Sequence, residues 1–127
     1  MTGRRFVILC VDDERISLIV RTRVLEKAGY EVIPTNSAAE ALEALQSRPV
    51  DLILTDLVMP GMNGAELARE SKKQKPGLPI IIFSGVNELP PQASGCDLFV
   101  SKLEGPDFLC AKVAEILNNP QDATISP

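Results

Sequence analysis

Along the chain, short apolar runs alternate with stretches whose apolar residues recur at helical spacing. The runs at residues 6–11, 31–35, 52–55, 79–83 and 97–101 read as strands, several of them apolar enough to be buried on both faces. Helical spacing predicts a first helix over residues 14–28, with Ile16, Ile19, Val20, Val24 and Ala28 facing inward. Gly29 stops it, because glycine enters the left-handed region without a Cβ penalty. Ser37 caps a second helix and Glu40 completes a capping box, with Ala38, Ala41, Leu42 and Leu45 as the apolar stripe. Asn63 and Glu66 open a third helix that fades near Gln74, before Pro76 and Gly77. The last helix covers residues 106–117 and sets Leu109, Val113, Ile116 and Leu117 on one face. Residues 118–127, polar and interrupted by proline, read as a disordered tail or linker stub.

Strands alternating with helices imply right-handed crossovers, hence a parallel sheet with helices on both faces. Five strands fit the doubly wound, flavodoxin-like α/β order 2-1-3-4-5, in a single domain over residues 1–117. In that order the topological switch point lies between the first and third strands. Asp12 and Asp13 follow the first strand and Asp56 the third, while Ser84 and Lys102 follow the fourth and fifth. Parallel strands end on a common edge, so these polar groups converge there. Taken singly, each has a plain structural reading as a turn, cap or surface residue. Their conjunction at one edge points to chemistry.

Carboxylates within about 5 Å of one another repel by roughly 3 kcal/mol per pair at an effective dielectric near 20. A cation relieves that cost, and an all-oxygen donor set suits Mg²⁺ rather than zinc or copper. Asp12, Asp13 and Asp56 are therefore the candidate metal ligands, with Asp56 also the candidate nucleophile for an aspartyl phosphate. Lys102 supplies a second cation for an incoming phosphoryl group, and Ser84 a hydroxyl to bond one of its oxygens.

The bulk composition narrows the field. The 127 residues are 45% hydrophobic and carry a net charge of −4 without any basic block, which disfavours direct nucleic-acid binding. No apolar run approaches a membrane span and no signal peptide is visible, so a cytoplasmic protein is expected. Cys10, Cys96 and Cys110 share no metal-like spacing and read as buried free thiols. With no histidine, the chain has no Ser–His–Asp triad and cannot itself be a histidine phosphodonor.

The segments Val11–Glu14, Leu54–Gly64 (Leu-Thr-Asp-Leu-Val-Met-Pro-Gly-Met-Asn-Gly), Phe83–Gly85 and Phe99–Lys102 resemble the receiver domain of two-component response regulators. The similarity spans about residues 5–117, and the stretch from Asp56 through Met59, Pro60 and Gly61 to Gly64 is its most specific part. The resemblance implies that Asp56 takes a phosphoryl group from a histidine kinase or a histidine phosphotransfer protein. It implies that the backbone carbonyl of Val58 joins Asp12, Asp13 and Asp56 around Mg²⁺. Ser84 and Phe99 would form the switch that carries the chemical event to the surface; the plain alternative for Phe99 is a core aromatic. Such a domain would act through an unknown downstream protein, as a monomer or a phosphorylation-dependent homodimer, and a bacterial origin is expected.

Several positions depart from the family pattern. Lys102 is followed by Leu103 where the family usually has proline, often after a cis bond, so this loop is either trans and reshaped or strained. The segment between Ser84 and Lys102 is short, and prolines within it predict a fourth helix of one to two turns, or none. Val58 and Val86 flank the phosphorylation site with side chains unable to orient water, which predicts slow self-dephosphorylation. Two other functions compete: a phosphorylation-independent interaction module that keeps a relic acidic pocket, and a Mg²⁺-dependent phosphatase with an aspartyl nucleophile.

Overall fold

The computed structural model describes residues 5–85 and 96–118. In chain order the elements are β1 (Val7–Val11), α1 (Arg15–Lys27), β2 (Glu31–Thr35), α2 (Ala38–Ser47) and β3 (Leu52–Asp56). They continue with α3 (Gly64–Gln74), β4 (Ile80–Ser84), β5 (Leu98–Ser101) and α4 (Pro106–Asn118). The strands form one parallel sheet of order β2-β1-β3-β4-β5, the doubly wound arrangement expected from the sequence. The expected short helix within residues 88–95, the side chain of Val86 and the tail 119–127 lie outside the described residues.

Alternation along β1 divides the core. Val7, Leu9 and Val11 pack with Ala41, Leu45, Leu67 and Ala68, which places α2 and α3 on one face. Ile8 and Cys10 pack with Leu18, Leu25, Leu109 and Val113, which places α1 and α4 on the other. Because β1, β3 and β4 are buried throughout, the sequence shows unbroken apolar runs there instead of alternation. Cys10 is a buried free thiol pushed up to about 12 by desolvation, whereas Cys96 and Cys110 are only half-buried.

The inward face of α1 differs from the one expected. Leu18, Arg21 and Leu25 are buried, while Ile16, Ile19 and Val20 are 69%, 46% and 56% exposed. Val24 is half-buried, and Ala28 is the exposed C-cap outside the helix. The physical reason is an ion pair: Arg21 turns inward to reach Asp12 at the end of β1, carrying the 18–21–25 stripe with it. Gly29, at φ 103°, ends the turn as expected.

The caps are also informative. Asn63 and Glu66 form a reciprocal capping box at α3, with both bonds at 2.9 Å. At α2, Ser37 accepts from the Glu40 amide at 3.1 Å, but the Glu40 carboxylate accepts from the Asn36 amide instead of that of Ser37. The box expected there is thus open on one side, its glutamate bonding one residue earlier.

Candidate functional site

Parallel pairing aligns the strand ends and sets the polar groups side by side. Val11 of β1 lies opposite Thr55 of β3, so Asp12 and Asp56 emerge as neighbours. Asp56 pairs in register with Phe83 on β4, and Ser84 with Ser101 on β5. Oxygens of Asp12, Asp13 and Asp56 all lie within 4.8 Å of one another. Asp12 is fully buried, Asp56 nearly so, and Asp13 faces solvent.

Lys102 closes the cluster from the β5 side. Its Nζ lies 2.5 Å from Asp56 Oδ1, and its backbone N–H donates to the Ser84 carbonyl at 2.6 Å. That backbone bond ties the loop after β5 to the end of β4. No peptide bond is cis among the described residues, so Lys102–Leu103 takes the trans course. The Ser101 hydroxyl accepts from the Leu103 N–H at 3.0 Å and holds the turn, leaving the Leu103 side chain 83% exposed. Ser84 is buried at the end of β4, and Phe99 is half-buried against Leu57, Ala65 and Ile82. Val58 carries an exposed side chain two residues past Asp56.

The carboxyl of Asp56 is held above the usual carboxylate range. Desolvation is the main cause and Asp12 adds to it, while the Lys102 hydrogen bond and the charges of Lys102 and Arg21 oppose it. A bound cation would favour the ionised form further. The donors are all oxygen, and one face of the cluster opens to solvent through Asp13, as a partly hydrated Mg²⁺ requires. The chain's residues therefore fit that ion.

Arg21 was not singled out by sequence reasoning. Its Nη1 donates to Asp12 Oδ2 at 2.8 Å, and its guanidinium carbon lies 4.4 Å from the Phe83 ring centroid. The available signal was positional, since an arginine between Leu18 and Leu25 at i+3 and i+7 sits on an apolar stripe. Gly64 closes the sequence motif that follows Asp56, and it has a steric role as well. Its N–H donates to the Leu57 carbonyl at 2.8 Å, bringing α3 so close to the end of β3 that a Cβ would strike the Asp56 carbonyl oxygen.

A family model described as the response regulator receiver domain matches residues 8–114. The chain belongs to the response regulator receiver domain family. It is 34% identical over 113 residues to the response regulator receiver protein CpdR of Brucella abortus, covering 89% of this chain and 83% of that protein. It is 36% identical over 114 residues to the CAI-1 autoinducer sensor kinase/phosphatase CqsS of Vibrio cholerae. That match covers 84% of this chain but 17% of CqsS, so this receiver spans only a small part of that relative. Among solved structures, a CheY-like receiver domain from Methanospirillum hungatei JF-1 superposes with a TM-score of 0.85 at 30% identity, covering 94% and 99% of the two chains. TrrA of Thermotoga maritima, in complex with Mg²⁺ and BeF, gives 0.83 at 32% identity over 88% and 99%. Residues 8–114 thus form a receiver domain of the two-component kind. No described helix is long and apolar enough to cross a membrane.

Proposed function

We propose that Asp56 is the phosphoacceptor and that the site carries a phosphoryl group from a phosphohistidine partner to its own carboxylate. The observation supporting this is the cluster of Asp12, Asp13 and Asp56 with Lys102 on Asp56 Oδ1. In the reaction the P–N bond of the donor breaks and an O–P bond to Asp56 forms, the released imidazole taking a proton. With Oδ1 held by Lys102, Oδ2 presents the attacking lone pair. Mg²⁺ held by Asp12, Asp13, Asp56 and the Val58 carbonyl would neutralise charge on the transferring group. Lys102 adds a fixed cation, and the Ser84 hydroxyl bonds a phosphoryl oxygen after transfer. Ser84 lies next to Ser101 in the ladder and Phe99 two residues before it, so a shift at Ser84 reaches β5 directly. Phosphorylation then biases two conformations with different partner affinity.

Delivery of the group from a phosphohistidine brings the surface of its protein over the site. Ile16 on the first turn of α1, Val20 one turn later, Val58 two residues past Asp56 and Leu103 next to Lys102 are all exposed apolar side chains. A phosphohistidine protein seated there would bury them on contact. The test compares two donors. Ile16→Glu with Val20→Glu should slow transfer from a phosphorylated histidine protein by at least about tenfold, with transfer from acetyl phosphate unchanged. Equal slowing with both donors would place the defect in the pocket and not in docking.

A further inference from the structure

Both oxygens of Asp12 are already engaged by the protein. Oδ1 accepts from the Glu14 N–H at 2.9 Å and Oδ2 from Arg21 Nη1 at 2.8 Å. Asp13 is the contrast: it faces solvent, and none of the described residues bonds its carboxylate. Arg21 is itself buried at 8% exposure, against Phe83 and on a helix face otherwise lined by Leu18 and Leu25. An aliphatic residue would pack there without desolvating a guanidinium. A buried charge of this kind persists only where its partner compensates it. Its partner is a residue of the acidic cluster.

We propose that Arg21 is a built-in counter-ion for the acidic cluster, holding Asp12 when no metal is bound and lowering the affinity with which Mg²⁺ binds. The proposal rests on the reading of Asp12, Asp13 and Asp56 as a Mg²⁺ site. Three carboxylates face two cations, Arg21 and Lys102, which leaves a surplus of one negative charge. Neutralising two of the three charges makes the metal-free pocket tolerable and also reduces its pull on a divalent cation. Mg²⁺ must share Asp12 with the guanidinium or displace it. Room for displacement exists on the outer side, where a groove of about 300 Å³ between α1 and α4 is lined by Arg21, Phe83 and Glu104. A guanidinium released into that groove would share its lining with Glu104. Since Phe83 precedes Ser84 on β4, the position of Arg21 also bears on the strand that carries the switch residue.

The test is calorimetric titration of metal-free protein with Mg²⁺, for wild type, Arg21→Met, Arg21→Gln and Arg21→Lys. Thermal unfolding of each in EDTA and in saturating Mg²⁺ accompanies it. The Met and Gln variants should bind Mg²⁺ at least about tenfold tighter than wild type. They should also unfold earlier in EDTA and gain more from Mg²⁺. The Lys variant, which keeps the charge, should stay within about threefold of wild type. If Arg21→Met folds only with Mg²⁺, the metal has replaced the guanidinium, which supports the proposal. If it folds in neither condition, Arg21→Gln decides. Unchanged or weaker Mg²⁺ binding by the Gln variant would overturn the counter-ion role and leave Arg21 a packing residue that orients Asp12. Absence of Mg²⁺ binding by the wild type would instead overturn the metal reading.

Discussion

Replacing Gly64 with alanine is expected to destabilise the domain by about 3 kcal/mol and to displace the peptide that bears Asp56. Gly64 is the first residue of α3, and the space its Cβ would need is filled by backbone. Besides the Asp56 carbonyl oxygen, the new atom would meet Leu57 Cα at 3.0 Å and the Asp56 carbonyl carbon at 3.1 Å. No side-chain rotation relieves contacts with main-chain atoms. The helix start must lift from the end of β3, which lengthens or breaks the Gly64–Leu57 hydrogen bond. Denaturant unfolding of Gly64→Ala beside Gly77→Ala gives the measurement. Nothing lies within 4 Å of a Cβ at Gly77, so that variant should stay within about 0.5 kcal/mol of wild type. Equal unfolding midpoints for the two variants would show that α3 yields without cost.

Asp13→Asn should weaken Mg²⁺ binding by at least about tenfold, or ~1.4 kcal/mol, while leaving metal-free stability unchanged or slightly higher. Asp13 is the solvent-facing carboxylate of the cluster, so its loss removes attraction for the cation without opening a buried hole. It also relieves repulsion on Asp56, whose carboxyl is already held above its usual range by burial and by Asp12. The sign is opposite to that expected at Arg21, which makes the pair of substitutions a sensitive probe of the cluster's charge balance. Unfolding temperatures with and without Mg²⁺ report both quantities. A full Mg²⁺ response in Asp13→Asn would take Asp13 out of the metal's coordination.

The sheet and the strand-end residues were legible in the sequence for a geometric reason. Buried strands of a parallel sheet read as unbroken apolar runs, and the residue that breaks each run sits at the common edge. Asp12, Asp56, Ser84 and Lys102 were found this way, without knowledge of any side-chain contact. The orientation of α1 was not legible. Hydropathy favoured Ile16, Ile19 and Val20 as the inward face, but the helix is turned by the Arg21–Asp12 pair, which joins residues on different elements. A pattern of apolar positions carries no record of such a bond. The same limit applies at Glu40, where two adjacent backbone amides compete for one carboxylate. At Lys102–Leu103 the missing proline left trans and strained courses open. The Leu103 N–H, which a proline would lack, donates to Ser101 in the trans turn.

On the proposed reading, Asp56 accepts a phosphoryl group with the help of a divalent cation. Intact mass of the protein after incubation with acetyl phosphate tests it most directly, for wild type with Mg²⁺, wild type with EDTA, and Asp56→Asn with Mg²⁺. One phosphoryl group should add in the first sample and none in the other two. Addition to Asp56→Asn, or equal addition in EDTA, would contradict it.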